Sequence, residues 1–433
     1  MPVYKRNPEN LAGALIVLII LLLAGRGIYD SLRYSGQLSP IADPFSEANA
    51  LRAGEGYAEN GFFSNAGLPD LCYGDRFPGR GAWRVEEFPL QFSMSSLKDD
   101  CIYTHYPPGP DLIAGLLTEI CGVGNLGCFR LFPTTIAIFS LILFAWMLSS
   151  AIGTVKAAIM MSAIAIVPMT SNMMHGLHCQ SYAFSLLLIQ SGLLLSIFRK
   201  KIKLKALHLS ILFIIGFLQG WLSFDYFFIV SLSALPFALL YSPLDKREDK
   251  KQLLFAVLAS AIGFGFAHFL HFIQVAIYYQ GSLTAAYNDI FRVGRLRFDE
   301  SGGSVNFVTS RILLMLRYLF ISARKEILFI INLPVLLGVV LVFLWFKDAK
   351  LTTRKIVLRW KSSGRNFYVI ATAFIVSFLW VIVMKQHAAV HTPFIARHLF
   401  LIYFFCILTI LECVSLDKHN PNNQEAGTWK LRP

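Results

Sequence analysis

The sequence predicts an all-α polytopic membrane protein, and three features carry that reading. Of its 433 residues 55% are hydrophobic and 15% charged, with 37 phenylalanines, a balance outside that of soluble domains. Mean hydropathy is +0.57. Apolar stretches long enough to cross a hydrocarbon core of about 30 Å recur along the whole length. The Lys and Arg residues gather in short blocks between those stretches, so the formal charge of +13 reports topology rather than a nucleic-acid partner. One membrane-embedded unit over residues 1–433 accounts for the length.

The expected spans are 10–28, 128–149, 155–171, 177–198, 206–224, 226–242, 252–279, 325–346, 366–385 and 395–415, about ten transmembrane helices. With Lys5 and Arg6 inside, the alternation puts three basic blocks on one side. These are "RKKIKLK" at 199–205, "DKREDKK" at 245–251, and the stretch from Lys347 to Arg365. Both termini are then cytoplasmic. A basic start before a short apolar run also describes a signal peptide, but "AGRGIYDSLRYS" offers no clean small-x-small cleavage site.

Two long segments fall on the extracytoplasmic side, residues 29–127 and 280–324. The first opens with "DPFSEANALRAGEGYAENG", in which Phe45, Ala48, Leu51 and Arg52 share a helical face and glycines end the run. The second carries "LTAAYNDIFRVGRLRF" and "VNFVTSRILLMLRYLF", amphipathic pieces suited to the interface. Cys72, Cys101, Cys121 and Cys128 fall in or beside the first segment. Four cysteines allow three connectivities, and closing local loops favours Cys72 with Cys101 and Cys121 with Cys128. There is no internal repeat, phosphate-binding Gly-Lys loop or dinucleotide fingerprint.

Topology then sorts the polar residues. Six of the ten histidines (His105, His175, His178, His387, His391, His398) sit at or near outer span ends, with Asp43, Glu47, Asp225, Asp289, Arg292, Arg295, Arg297 and Arg397. Ionisable groups at such depth are costly and point to function. Asp43 suits a helix start before Pro44 equally with a general base that takes a proton from an attacking hydroxyl. Glu47, one turn on, either holds a second group or is solvated. Arg292, Arg295 and Arg297 suit a phosphate clamp or contacts with lipid headgroups. His175 with His178, and His387 with His391, have metal-compatible spacings, but no carboxylate stands at ligand spacing, so hydrogen bonding is the favoured role and no cofactor is firmly implied. Asp225 either caps a tight turn or holds hydroxyls.

The stretch "YTHYPPGPDLIAGLL" at 103–117 sets His105 and Tyr106 before a rigid proline corner and an apolar helix. An acidic residue soon after the first span, this corner, and then "GNLGCFRLFPTTIAIFSLILF" resemble the GT-C membrane glycosyltransferases. The likeness is greatest to the branch of protein O-mannosyltransferases and lipid A aminoarabinose transferases, and clearest over residues 10–150. It implies a GT-C-like bundle in which Asp43 is the catalytic base. Pro107 and Pro108 would shape a lipid-phosphate site, and Arg130 opens the second span. Two positions depart from that pattern. Asp43-Pro44 stands where relatives have Asp-Glu, and Tyr106 precedes Pro-Pro-Gly where they have Lys before Pro-Pro-Leu. His105 or an arginine would have to replace that lysine. The implied partners are a polyprenyl-phosphate sugar donor, an acceptor that is protein, lipid or glycan, and membrane lipids. The implied substrate-binding set is Glu47, His105, Tyr106, Arg292, Arg295, Arg297, His391, Arg397 and His398. A transporter or flippase of a lipid-linked or anionic solute is the alternative.

Overall fold

The computed structural model describes residues 8–41, 44–77, 84–87, 96–166, 170, 173–242, 244–298, 313, 364–383 and 398–413. Among these the chain is helical throughout, apart from turns and one isolated antiparallel bridge, Asp70 with Ile102. The helices are α1 (Pro8–Arg33), α2 (Pro44–Asn60), α3 (Gly109–Cys121), α4 (Leu126–Ile152), α5 (Thr154–Ile166), α6 (Cys179–Arg199) and α7 (Ala206–Leu222). They continue as α8 (Phe227–Leu232), α9 (Ala234–Tyr241), α10 (Arg247–Tyr278), α11 (Leu283–Phe298), α12 (Arg365–Val383) and α13 (Phe400–Cys413). Four of them, α1, α4, α6 and α10, are long and apolar enough to cross a membrane, and shorter apolar helices surround them. The expected span 325–346 and the third basic block up to residue 363 lie outside the described residues.

α1 shows how the sequence sorts its faces. Ala12, Ile16, Ile19, Leu23 and Gly27 recur every three to four residues and are buried against the bundle, while Leu11, Leu18, Leu21, Leu22 and Leu32 stay exposed. An outward leucine face is stable in lipid, where apolar side chains meet acyl tails. Without a hydrophobic drive between helices, close approach comes from small residues. A Cβ at Gly216 would fall 2.2 Å from the Ser260 carbonyl, and one at Gly263 would fall 2.1 Å from that of Phe213. α7 and α10 therefore touch backbone to backbone.

Interhelical bonds separate the two ends of the bundle. At one end Lys200 Nζ donates to Ser150 Oγ (2.6 Å), Gln252 Nε2 to the Ile202 carbonyl (2.7 Å), and Arg199 pairs with Glu412 (3.2 Å). The blocks at 199–205 and 245–251 thus share an end. At the other end α1 stops, α4 and α6 start, and the folded segment between α1 and α4 sits. That segment is stapled by two disulfides, Cys72–Cys101 and Cys121–Cys128, the pairing that local loop closure favours.

α2 departs from the expectation of a helix with one buried face. Every residue from Glu47 to Tyr57 is buried. The reason is local: α3 packs along one side, where Gly54 lies against Ala114 and Gly115 against Tyr57, and the stapled stretch around Leu71 and Tyr103 covers another.

Candidate functional site

Arg130, in the first turns of α4, is completely buried and uses all five of its N–H donors. Nε donates to the Tyr34 carbonyl (3.2 Å), Nη1 to Glu47 Oε1 (2.5 Å) and the His175 carbonyl (3.1 Å). Nη2 donates to Glu47 Oε2 (2.9 Å) and the Gln37 carbonyl (3.1 Å). The Glu47 carboxylate also accepts from the backbone of Ser39 (2.8 Å) and Leu177 (3.1 Å). This clasp joins the end of α1, the start of α2, α4 and the turn before α6. Of the two expectations for Glu47, the structure gives the first, since it holds a second group, Arg130. Its lone pairs are taken up by the protein, so it orders the start of α2 rather than presenting a ligand contact.

His175 lies against the same clasp, sharing a hydrogen bond with Ser39 Oγ (2.8 Å) and stacking on Tyr34. Three residues on, His178 Nδ1 accepts from Gln180 N (3.1 Å) and caps α6. The Gln180 amide donates to Asp225 Oδ2 (3.3 Å) in the turn after α7. The next residue, Tyr226, stacks on His398, and Trp380 stacks on that imidazole at 4.4 Å. His398, just before α13, thus stacks with two aromatic rings. Gln180 Oε1, Ser181 Oγ and Ser223 Oγ are buried with no hydrogen-bond partner among the described residues. Such atoms in an apolar surround call for water or a polar ligand.

The proline corner reaches the same turn from its other side. A Cβ at Gly109 would fall 2.4 Å from the Trp221 carbonyl and 2.7 Å from its ring, so only glycine can follow the two prolines here. Tyr103, His105 and Tyr106 pack ring on ring, with centroids 4.6–5.4 Å apart, and His105 and Tyr106 are half-buried. The corner is anchored from behind. Thr104 Oγ1 donates to Asp289 Oδ2 (2.8 Å), and His271 Nε2 donates to the Thr104 carbonyl (2.9 Å). Asp289 also accepts from Tyr279 (2.9 Å) and from Arg292 (3.3 Å).

The expected site residues thus fall into two groups that meet at residues 221–226: Glu47 and His398 with the clasp and the polar cluster, and His105, Tyr106 and Arg292 with the corner. Arg295 stands apart, exposed, its guanidinium 4.8 Å over the Phe291 ring. Asp43, His391 and Arg397, and the side chain of Arg297, lie outside the described residues. Among the described residues one group of metal-ligand type comes together, Asp70 with Cys72 and Cys101. Those two sulfurs are bonded to each other, which removes the thiolates a metal needs.

Sequence reading passed over two buried carboxyls. Asp30, near the end of α1, receives Arg26 Nε at 2.7 Å. Asp111, in the first turn of α3, is 2% exposed, and no hydrogen bond reaches it from the described residues. Desolvation pushes its pKa up to about 8, so it holds its proton at neutral pH. In sequence it is an acid in the first turn of a helix, a placing the helix dipole favours without any further role. A scan of known protein families finds none that matches this chain, and neither does any curated protein.

Proposed function

We propose that this chain is an inverting glycosyltransferase that moves a monosaccharide from a polyprenyl phosphate to an acceptor hydroxyl at the extracytoplasmic membrane face. The observation that carries the reading is the convergence of three polar assemblies on one end of an apolar helix bundle: the Arg130–Glu47 clasp, the cluster from His178 to His398, and the His105–Tyr106 corner. The clasp orders the chain on both sides of Asp43, because Ser39 and Glu47 are bonded to each other and to the 175–178 turn.

In this reading the Asp43 carboxylate takes the acceptor's hydroxyl proton as its oxygen attacks the anomeric carbon. The carbon–oxygen bond to the phosphate breaks as the new glycosidic bond forms, and configuration inverts. Negative charge grows on the departing phosphate, where nearby cations stabilise the transition state more than the ground state. Arg292 and His105, at the corner, are suited to that work. A transporter reading calls for ionisable residues at mid-depth. The polar residues midway along α6, Gln190 and Ser191, are neutral, and the Gln190 amide donates to the Val230 carbonyl (2.7 Å).

The test uses purified protein in lipid nanodiscs, synthetic polyprenyl-phosphate monosaccharides with labelled sugar, and envelope extract as acceptor. The expected result is label in acceptor with an equal amount of free polyprenyl phosphate and an inverted anomeric centre. A panel of donors that all remain intact would overturn the proposal.

A further inference from the structure

α10 has 32 residues and so is about 48 Å long, beyond the roughly 30 Å a hydrocarbon core requires. Its charged start, Arg247 to Lys251, takes up the excess at one end. At the other end Tyr278 and Tyr279 stand where an aromatic belt is expected. There the chain reverses through Gln280 and Gly281, at φ 55° and 88°, and α11 begins at once with Leu283. α11 therefore starts at the level where α10 leaves the lipid.

Its two sides have different tasks. Ala286, Asp289 and Ile290 face inward, packed with Val275, Tyr278, Leu68 and Ile102 or bonded to Thr104. Leu283, Tyr287, Phe291 and Arg295 follow one another at four-residue steps and form a single outward stripe. The three apolar members are 57%, 54% and 44% exposed. The Tyr287 and Phe291 rings lie nearly parallel (12°), and Arg295 closes the stripe over Phe291. No carboxylate among the described residues pairs with Arg295.

We infer that the outward stripe of α11 docks on the phospholipid headgroup layer, its aromatic rings at the level of the upper acyl chains and Arg295 on a lipid phosphate. The helix has the amphipathic build for that position, Arg295, which no carboxylate among the described residues pairs with, complements an anionic headgroup, and its start is continuous with a membrane-crossing helix. Arg292 and Arg295 consequently do not act as one clamp. Arg292 serves the corner through Asp289, and Arg295 serves the bilayer. This inference stands whatever reaction the chain performs.

The test replaces Phe291 with dansylalanine by codon suppression in the full chain. A second protein, with dansylalanine in place of Asp75 in the stapled loop, serves as reference. Both are placed in nanodiscs of phosphatidylcholine with phosphatidylglycerol. At position 291 the expected emission is blue-shifted, quenched at least twofold more than the reference by lipids brominated near the top of the acyl chain, and shielded from aqueous iodide. Arg295→Gln should reduce the difference between nanodiscs with and without phosphatidylglycerol by at least half. Equal iodide quenching at both positions would overturn the inference. So would shielding at 291 that persists in lipid-free detergent and grows with protein concentration, since a second copy would then cover the stripe.

Discussion

Replacing Asp111 by Leu should make the protein more stable, and increasingly so as pH rises. The carboxyl is buried, near enough to Tyr57 to act on its hydroxyl electrostatically, without a hydrogen bond from the described residues, and desolvation pushes its pKa up to about 8 from an ordinary 3.8. The folded state keeps a proton that the unfolded state loses. This group's contribution to stability is therefore full below about pH 4 and falls as pH rises between the two values. Above about pH 8 it is constant. Each pH unit in that window costs about 1.4 kcal/mol, so the loss by pH 7 is on the order of 4 kcal/mol. Leucine has a similar shape and carries no charge to desolvate. Other carboxylates change stability with pH too, so the informative quantity is the difference between variant and wild type. Measured by SDS-induced unfolding of purified protein, that difference should grow by roughly 3 kcal/mol from pH 5 to pH 7 and level off above pH 8. A difference that stays flat from pH 5 to pH 9 would refute the reasoning.

Three further outcomes follow from the same contacts. Arg130→Met alone leaves the Glu47 carboxylate buried with no counter-charge and should cost about 3–5 kcal/mol, while Glu47→Leu with Arg130→Met costs less than either single change, read as thermal midpoints in detergent. Converting Cys72 and Cys101 together to serine should cost about 3.6 kcal/mol, since that bond closes a separation of 29 residues, and should raise proteolysis of the first loop before the helices are cut. Gly109→Ala drives a methyl onto the Trp221 carbonyl and should cost about 1–3 kcal/mol, whereas Gly265→Ala, in α10 with open space around its Cβ, should cost nothing; comparing their midpoints checks the corner packing.

Much of the scaffold was legible in the sequence because its signals are local. The apolar run of α1, the Asn125 cap of α4 and the short gap between Cys121 and Cys128 each need only a few neighbouring residues to be read. The buried polar residues were legible one by one but not in their assembly. Glu47 and Arg130 are 83 positions apart, and nothing in either neighbourhood names the other. Asp289 read as one more outer acid, though it anchors Thr104, 185 positions away. The glycines at 216 and 220 show helical spacing, but only the fold reveals that α10 lies against them. α2 misled for the same reason. Its pattern marks one apolar face, and its full burial comes from a stapled loop and a helix folded over it from outside.

The central claim rests on Asp43, which the clasp brackets from Ser39 to Glu47. The most direct test compares wild type with Asp43→Asn in the labelled-sugar transfer assay, alongside a binding measurement with the intact donor. Asparagine keeps the shape and cannot accept the proton, so transfer should fall by about 100-fold or more with donor affinity within a few-fold of wild type. Transfer that persists at wild-type rate in the folded variant would contradict the assignment of Asp43 as the base.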